Sequence, residues 1–145
     1  MTTTTTLAHA DAASRLRLAI ARLARQLRQQ TLGDLTLTQW SALVTVETRE
    51  PVRIGDLADR EGVSAATATR VVALLEERGL VERSADAADR RSWRVSLTDQ
   101  GRREIARMRK VRTAQLAQRI AALDPADADR LVELLAVLET LVGED

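Results

Sequence analysis

The residues whose types and spacing suit chemistry fall in two groups, and both suit contact with a polyanion. The first is Ser64-Ala65-Ala66-Thr67-Ala68-Thr69-Arg70. Ser64 stands where a helix N-cap is wanted, its hydroxyl free to accept from an orphan backbone N–H. Ala66, Thr69, Arg70 and Ala73 then share one face, made of short side chains and one long cation. A helix with so small a face brings its backbone close to a groove of duplex DNA, where an arginine reaches a guanine edge with two hydrogen bonds. The second group is Arg90-Arg91, adjacent cations in a loop that also carries Asp86 and Asp89. Such a pair suits phosphates, or a narrow minor groove with enhanced negative potential. A blander alternative is an amphipathic core helix with a solvated face, followed by a charged loop. In that loop Asp86 or Asp89 would pair with an arginine and stiffen the turn, a contact of little energetic weight at a surface.

The elements that must hold these residues follow from periodicity. Ile54, Leu57 and Ala58 recur at i, i+3 and i+4, the stripe of a short helix that Glu61-Gly62 stops. Val63 is expected as a buried plug in the turn. Ala68, Val71, Val72 and Leu75 make the inward stripe of the next helix, which Gly79 ends. Leu80 to Arg83 alternates, and Trp93, Val95 and Leu97 alternate against Arg94 and Ser96, so two half-buried strands are expected. Ser84 to Ser92 between them is too long for a tight turn and should project. A helix, turn and helix followed by a basic hairpin is a winged helix-turn-helix, a DNA-reading unit.

On the N-terminal side, Thr2 to Thr6 is of low complexity and expected to be disordered. Asp11 or Ser14 opens a helix with Leu16, Ile20, Leu23 and Leu27 on one face, running to about Gln30. Thr31 to Asp34 is a loop. Thr36-x-x-Gln39 is a capping-box pattern that opens the next helix. Trp40, Leu43, Val44 and Val46 face inward there, and Pro51 ends it. Val52-Arg53 is a short connection or a small third strand against the wing. On the C-terminal side, Thr98 or Asp99 caps a long helix through Ile105, Met108, Val111, Leu116, Ile120 and Leu123. Asp124-Pro125 marks a break and a new first turn. The last helix carries Leu131, Leu134, Leu135, Leu138 and Leu141, broadened by Val132, Val137 and Val142. So wide an apolar surface needs more than one neighbour. The economical solution is a second copy of the chain, the terminal helices interlocking in a two-fold dimer.

Asp86-x-x-Asp89-Arg90-Arg91, followed by Val95-x-Leu97-Thr98-x-x-Gly101, resembles the wing and following helix start of the MarR/SlyA family of bacterial regulators. Leu75-Glu76-x-x-Gly79-Leu80 and Leu35-Thr36-Leu37-Thr38-Gln39-Trp40-x-x-Leu43 resemble that family as well. The likeness covers nearly the whole chain, in order. It departs at Ala87, where members often have proline, so the loop tip is less rigid here. The resemblance implies a mainly α fold with a small β-hairpin wing in a single domain, 1–145. Residues 36–100 would form the winged helix-turn-helix lobe, and 10–30 with 102–143 the helical dimerisation region. It also implies a repressor released by a small effector. Trp40 is most simply core packing; the resemblance adds the wall of an effector site, which the second helix lines in this family.

Composition narrows the alternatives. One domain is expected at 145 residues. The absence of cysteine excludes disulfides, thiolate metal sites and a cysteine redox switch. No apolar run approaches a membrane span. MTTTTTLAHADAA does not read as a signal peptide, so a cytoplasmic protein is expected. Two tryptophans without phenylalanine or tyrosine argue against a stacking surface for single strands. The net charge of +1 hides asymmetry: Ser14 to Arg28 carries five arginines and no acid, Gly101 to Arg112 six cations against Glu104, and Asp124 to Asp145 seven acids against Arg130. Such separation is common where a basic DNA-facing part joins an acidic part, although solvated helix faces account for most of these charges. There is no histidine pair, glycine-rich phosphate loop or nucleophile–base arrangement, so neither an enzyme nor a cofactor is expected.

The leading expectation is a homodimeric transcription regulator on double-stranded DNA. Its contacts would come from Thr38, Ser64, Ala65, Ala66, Thr67, Thr69 and Arg70, with Arg90 or Arg91 in the adjacent minor groove. Two-fold symmetry predicts an inverted-repeat site with half-sites about one helical turn, roughly 34 Å, apart. The competing expectation is a winged-helix module for protein contacts or dimerisation, without specific DNA binding.

Overall fold

The computed structural model describes residues 2–29 and 33–143, with side chains from residue 8 onward. The element order is α1 (Thr2–Gln29), α2 (Leu37–Arg49), β1 (Val52–Arg53), α3 (Ile54–Glu61), α4 (Ala65–Glu77), β2 (Val81–Ala85), β3 (Trp93–Leu97), α5 (Asp99–Ala121) and α6 (Pro125–Val142). The fold is mainly helical with a hairpin wing, as the sequence predicts, and the third strand that the sequence leaves open completes an antiparallel sheet ordered β1-β3-β2.

Local signals set most of the boundaries. Thr36 Oγ1 accepts from the Gln39 N–H at 3.2 Å, and Gln39 Oε1 accepts from the Thr36 N–H at 3.0 Å, a reciprocal box that starts α2. Gly62 ends α3 in the left-handed region, at φ 63. Thr98 caps α5 by accepting from the Gly101 N–H, and Asp124 caps α6 by accepting from the Ala126 N–H. Val52-Arg53 is a true strand, Val52 opposite Val95 and Arg53 opposite Arg94.

Several expectations need correction. Thr2 to Thr6, expected to be disordered, is the start of α1; a helix once nucleated in the alanine-rich stretch extends at low cost per residue. The same extension moves the helix start ahead of Asp11 and Ser14. Thr31 and Leu32 of the expected loop lie outside the described residues. Val63 is half-buried, because the Gly62 turn sits at the surface and the Val63 N–H closes it on the Ala58 carbonyl. The wing loop is shorter than Ser84–Ser92, since pairing continues through Ser84 with Arg94 and Ala85 with Trp93. Leu123 lies past the end of α5 and is exposed.

One core holds the winged lobe together. Trp40, Leu43 and Val46 of α2 pack with Leu57, Val72 and Leu75 of the helix-turn-helix, and with Val95 and Leu97 of β3. Ile105 and Met108 of α5 belong to the same core, so the lobe's packing reaches beyond residue 100. The start of α5 approaches very closely: a Cβ added at Gly101 would overlap the Leu80 carbonyl oxygen. The terminal helices are different. No residue of α6 is buried, and Leu134, Leu135 and Leu141 stand exposed, as do Leu16, Ile20 and Leu23 of α1. Leu16 and Ile20 face Leu138 and Leu141 across an apolar groove of about 630 Å³.

Candidate nucleic-acid interface

The apolar stripe of α4 fixes which side of that helix is left for a ligand. Ala68, Val71, Val72 and Leu75 are buried, so Ala65, Ala66, Thr67, Thr69 and Arg70 are exposed together. Ser64 Oγ accepts from the Thr67 N–H at 3.1 Å and lies 2.9 Å from Thr67 Oγ1. Thr69 Oγ1 donates to the Ala65 carbonyl at 2.8 Å, which leaves its methyl group and oxygen lone pairs outward. Among the described residues, Arg70 has no ion-pair partner. Thr38 is exposed in the first turn of α2, where backbone N–H groups have no intrahelical acceptor. These are the amides that bind anions at helix starts.

The wing is built around Asp86. Its side chain is 1% exposed, and its Oδ2 accepts from Arg53 Nε at 2.6 Å and lies 3.0 Å from Arg94 Nε. Its Oδ1 accepts from the Ala88 N–H at 2.9 Å. That backbone hydrogen bond, with the two guanidinium groups, holds the carboxyl at about 2 against the opposing effect of burial. Asp89 shapes the tip differently, accepting from the Arg91 N–H at 3.0 Å and from Ser92 Oγ at 3.1 Å. The aspartates therefore do not hold the Arg91 guanidinium. Among the described residues, Arg90 and Arg91 are exposed and outside any ion pair.

Thr69 and Arg91 come together on one concavity between α4 and the wing, whereas Trp40 does not belong to it. Trp40 is 7% exposed and lies in the core, with the Arg112 guanidinium 4.4 Å from its ring centre. Burial, and then Arg28 nearby, lowers the Arg112 pKa. Two cations of α5 are clamps onto the end of α2. Arg102 pairs with Glu50 at 2.5 Å, and Arg109 binds Glu47 through both terminal nitrogens at 3.0 and 2.6 Å.

Sequence reasoning missed the Arg53–Asp86–Arg94 cluster. A signal existed: pairing β1 with β3 sets Arg53 against Arg94, and two like charges opposite each other call for an anion. A separation of 33 positions between Arg53 and Asp86 left no local spacing to read. The closeness of Gly101 to Leu80 carried no signal beyond the glycine itself.

Comparison with known proteins supplies the family. The MarR family model matches residues 35–93. An uncharacterized HTH-type transcriptional regulator of Mycobacterium bovis is 36% identical over 133 residues, 91% of this chain and 93% of its own length. A transcriptional regulator of Thermotoga maritima has a similar structure at 25% identity, with a TM-score of 0.78, covering 90% of this chain and 93% of its own. A Staphylococcus aureus MepR variant solved bound to an oligodeoxyribonucleotide shares the fold at 18% identity and a TM-score of 0.70, over 90% of this chain and 97% of its own. With a winged lobe that fits the family model and a relative over a third identical along almost the full length, the chain belongs to the MarR family of HTH-type transcriptional regulators, which are not enzymes.

Proposed function

We propose that this regulator works as a cytoplasmic homodimer that binds an inverted-repeat site in double-stranded DNA. The observation that carries the reading is the exposed face of α4 beside a wing whose tip arginines pair with nothing else among the described residues. Ser64, Ala65, Ala66, Thr67, Thr69 and Arg70 would enter the major groove. Arg90 and Arg91 would meet the adjacent minor groove or its phosphates, and the amides near Thr38 would anchor the backbone. The apolar groove between α1 and α6 supports a second copy as the partner there. Each leucine it covered would contribute about 1.5–3 kcal/mol. The five arginines of Ser14–Arg28 complement the acids that follow Asp124.

The regulation proposed is repression relieved by a small effector at the junction of α2 and α5. Trp40 under Arg112 supports that location, and Gln115 follows one turn further along α5. The Gln115 Oε1 is buried without a hydrogen-bond partner among the described residues. Such an acceptor costs about 1–3 kcal/mol, which a ligand's donor would recover. No helix of the described residues is long and apolar enough to cross a membrane.

The test is duplex binding across a salt series, with sedimentation of the free protein. Steep salt dependence and a preference for an inverted repeat selected from random duplex support the reading. Binding that is absent at low salt sinks it and favours a protein-contact module.

A further inference from the structure

The concavity between α4 and the wing carries a further assignment. It measures about 380 Å³, and its walls include Arg53, Asp56, Thr69, Arg83, Arg91 and Trp93. Strand alternation explains why Trp93 is there. Val81, Arg83 and Ala85 of β2 pair with Leu97, Val95 and Trp93 of β3, so these six share the inward face of the hairpin. Near the base that face is buried: Val81, Val95 and Leu97 lie in the core. Toward the tip the hairpin outruns the helices beneath it. Trp93 therefore occupies an inward position but is 49% exposed, and the Arg83 guanidinium lies 5.9 Å from its ring centre.

We propose that this concavity is a deoxyribose-phosphate subsite for the DNA strand that runs between the grooves entered by α4 and by the wing; the assignment rests on the duplex-binding reading above. The occupant follows from position and chemistry. Thr69 of α4 and Trp93 of the wing line the same concavity, so a strand between a helix in the major groove and a wing in the minor groove would pass over it. An indole offers an apolar face to the sugar and an N–H donor to a phosphate oxygen. Arg91 is outside any ion pair among the described residues. Arg53 spends its Nε on Asp86, and Arg83 spends Nε and one terminal nitrogen on Glu76, so each keeps N–H groups for a phosphate. Their carboxylate partners hold them in place before the strand arrives, which lowers the ordering cost of binding. Asp56 is the opposing charge on the wall, and it favours a neutral sugar over a second phosphate on its side. Because sugar and phosphate are the same at every step, the contact adds affinity without sequence preference.

The experiment uses the full chain labelled with 5-fluorotryptophan and two unrelated 30-base-pair duplexes of mixed sequence at low salt. Trp93→Phe assigns the two fluorine resonances. On saturation with either duplex, the Trp93 resonance is expected to move and lose its H2O–D2O isotope shift, while that of Trp40 stays. Trp93→Ala should bind both duplexes roughly three- to tenfold more weakly with an unchanged salt slope, the scale of one partly buried apolar contact. Arg91→Ala should instead reduce the slope by about one. The subsite is wrong, and duplex binding stands without it, if wild type binds in a salt-dependent way while Trp93 keeps its isotope shift and Trp93→Ala binds like wild type. A wild type that binds neither duplex overturns the subsite and the parent reading together.

Discussion

Arg53 and Arg94 lie directly opposite each other in the β1–β3 ladder, and both guanidinium groups converge on one oxygen of Asp86. Like charges in that register repel, so the wing holds its angle to the helix-turn-helix only while the buried carboxylate is charged. The Asp86 pKa is depressed from an ordinary 3.8 to about 2. A depressed carboxyl stabilises the fold above its unfolded value and loses that effect as pH falls through the folded one. The contribution is thus complete above about pH 4 and fades toward about pH 2. Asp86→Asn should remove this acid-dependent component, lower the melting temperature at neutral pH and weaken binding to all duplexes alike. Thermal melts of both proteins from pH 2 to 7 check it; parallel curves would show that the cluster does not tie the wing.

Gly101→Ala tests the close approach of α5 to Leu80. The added methyl meets a backbone oxygen rather than a flexible side chain, so α5 must shift. We expect a loss of about 1–3 kcal/mol in urea unfolding, the scale of overpacking. An unchanged midpoint would mean that α5 slides along Leu80 freely.

Arg70 and Arg90 should differ in kind. Arg70 stands on the exposed face of α4 that we propose enters the major groove, so Arg70→Ala is expected to cost about 1–3 kcal/mol and to relax specificity at one base pair. Arg90 belongs to the wing tip. Arg90→Ala should weaken binding evenly across sequences and flatten the salt slope by roughly 0.9 for each phosphate that is no longer neutralised. Titrations on a panel of site variants at several salt concentrations separate the two. Wild-type behaviour of both variants would remove the DNA interface from this face.

Leu134→Glu with Leu138→Glu should abolish the proposed dimer, and sedimentation at micromolar concentration reads the result. Leu134 is exposed and Leu138 lines the groove beside Leu16 in the single chain, so the charges burden the assembly far more than the lobe core. A variant pair that still sediments as a dimer would place the interface elsewhere.

What the sequence makes legible is what local chemistry decides. Thr36 and Gln39, Ser64, Gly62 and Asp124-Pro125 each satisfy or end a backbone run within a few residues, and each sits where the spacing places it. The inward stripes at Ala68–Leu75 and at Val95 and Leu97 are legible for the same reason. Contacts that span many residues are not. Arg109 reaches Glu47 across 62 positions and Arg112 covers Trp40, so cations that read as charges on a solvated helix face prove to hold the seam between α2 and α5. Trp93 misleads in the opposite sense: its alternation is that of a buried strand residue, but burial also needs something beneath it, which period two does not encode.

Thr98 is also where three elements are joined without slack. Its hydroxyl donates to the Gly79 carbonyl at 2.5 Å and accepts from the Gly101 N–H at 3.0 Å, while its own N–H donates to the Leu80 carbonyl at 3.1 Å. The turn that follows α4, the residue before β2 and the first turn of α5 are therefore pinned at one fulcrum. From there α5 extends 23 residues, about 34 Å as an unbroken rod. A sideways displacement of ~3 Å at its far end corresponds to a rotation of about 5° about the fulcrum. Mechanically the molecule is a crank, in which the long arm lies beside the exposed apolar faces of α1 and α6 and the short arm carries the exposed face of α4.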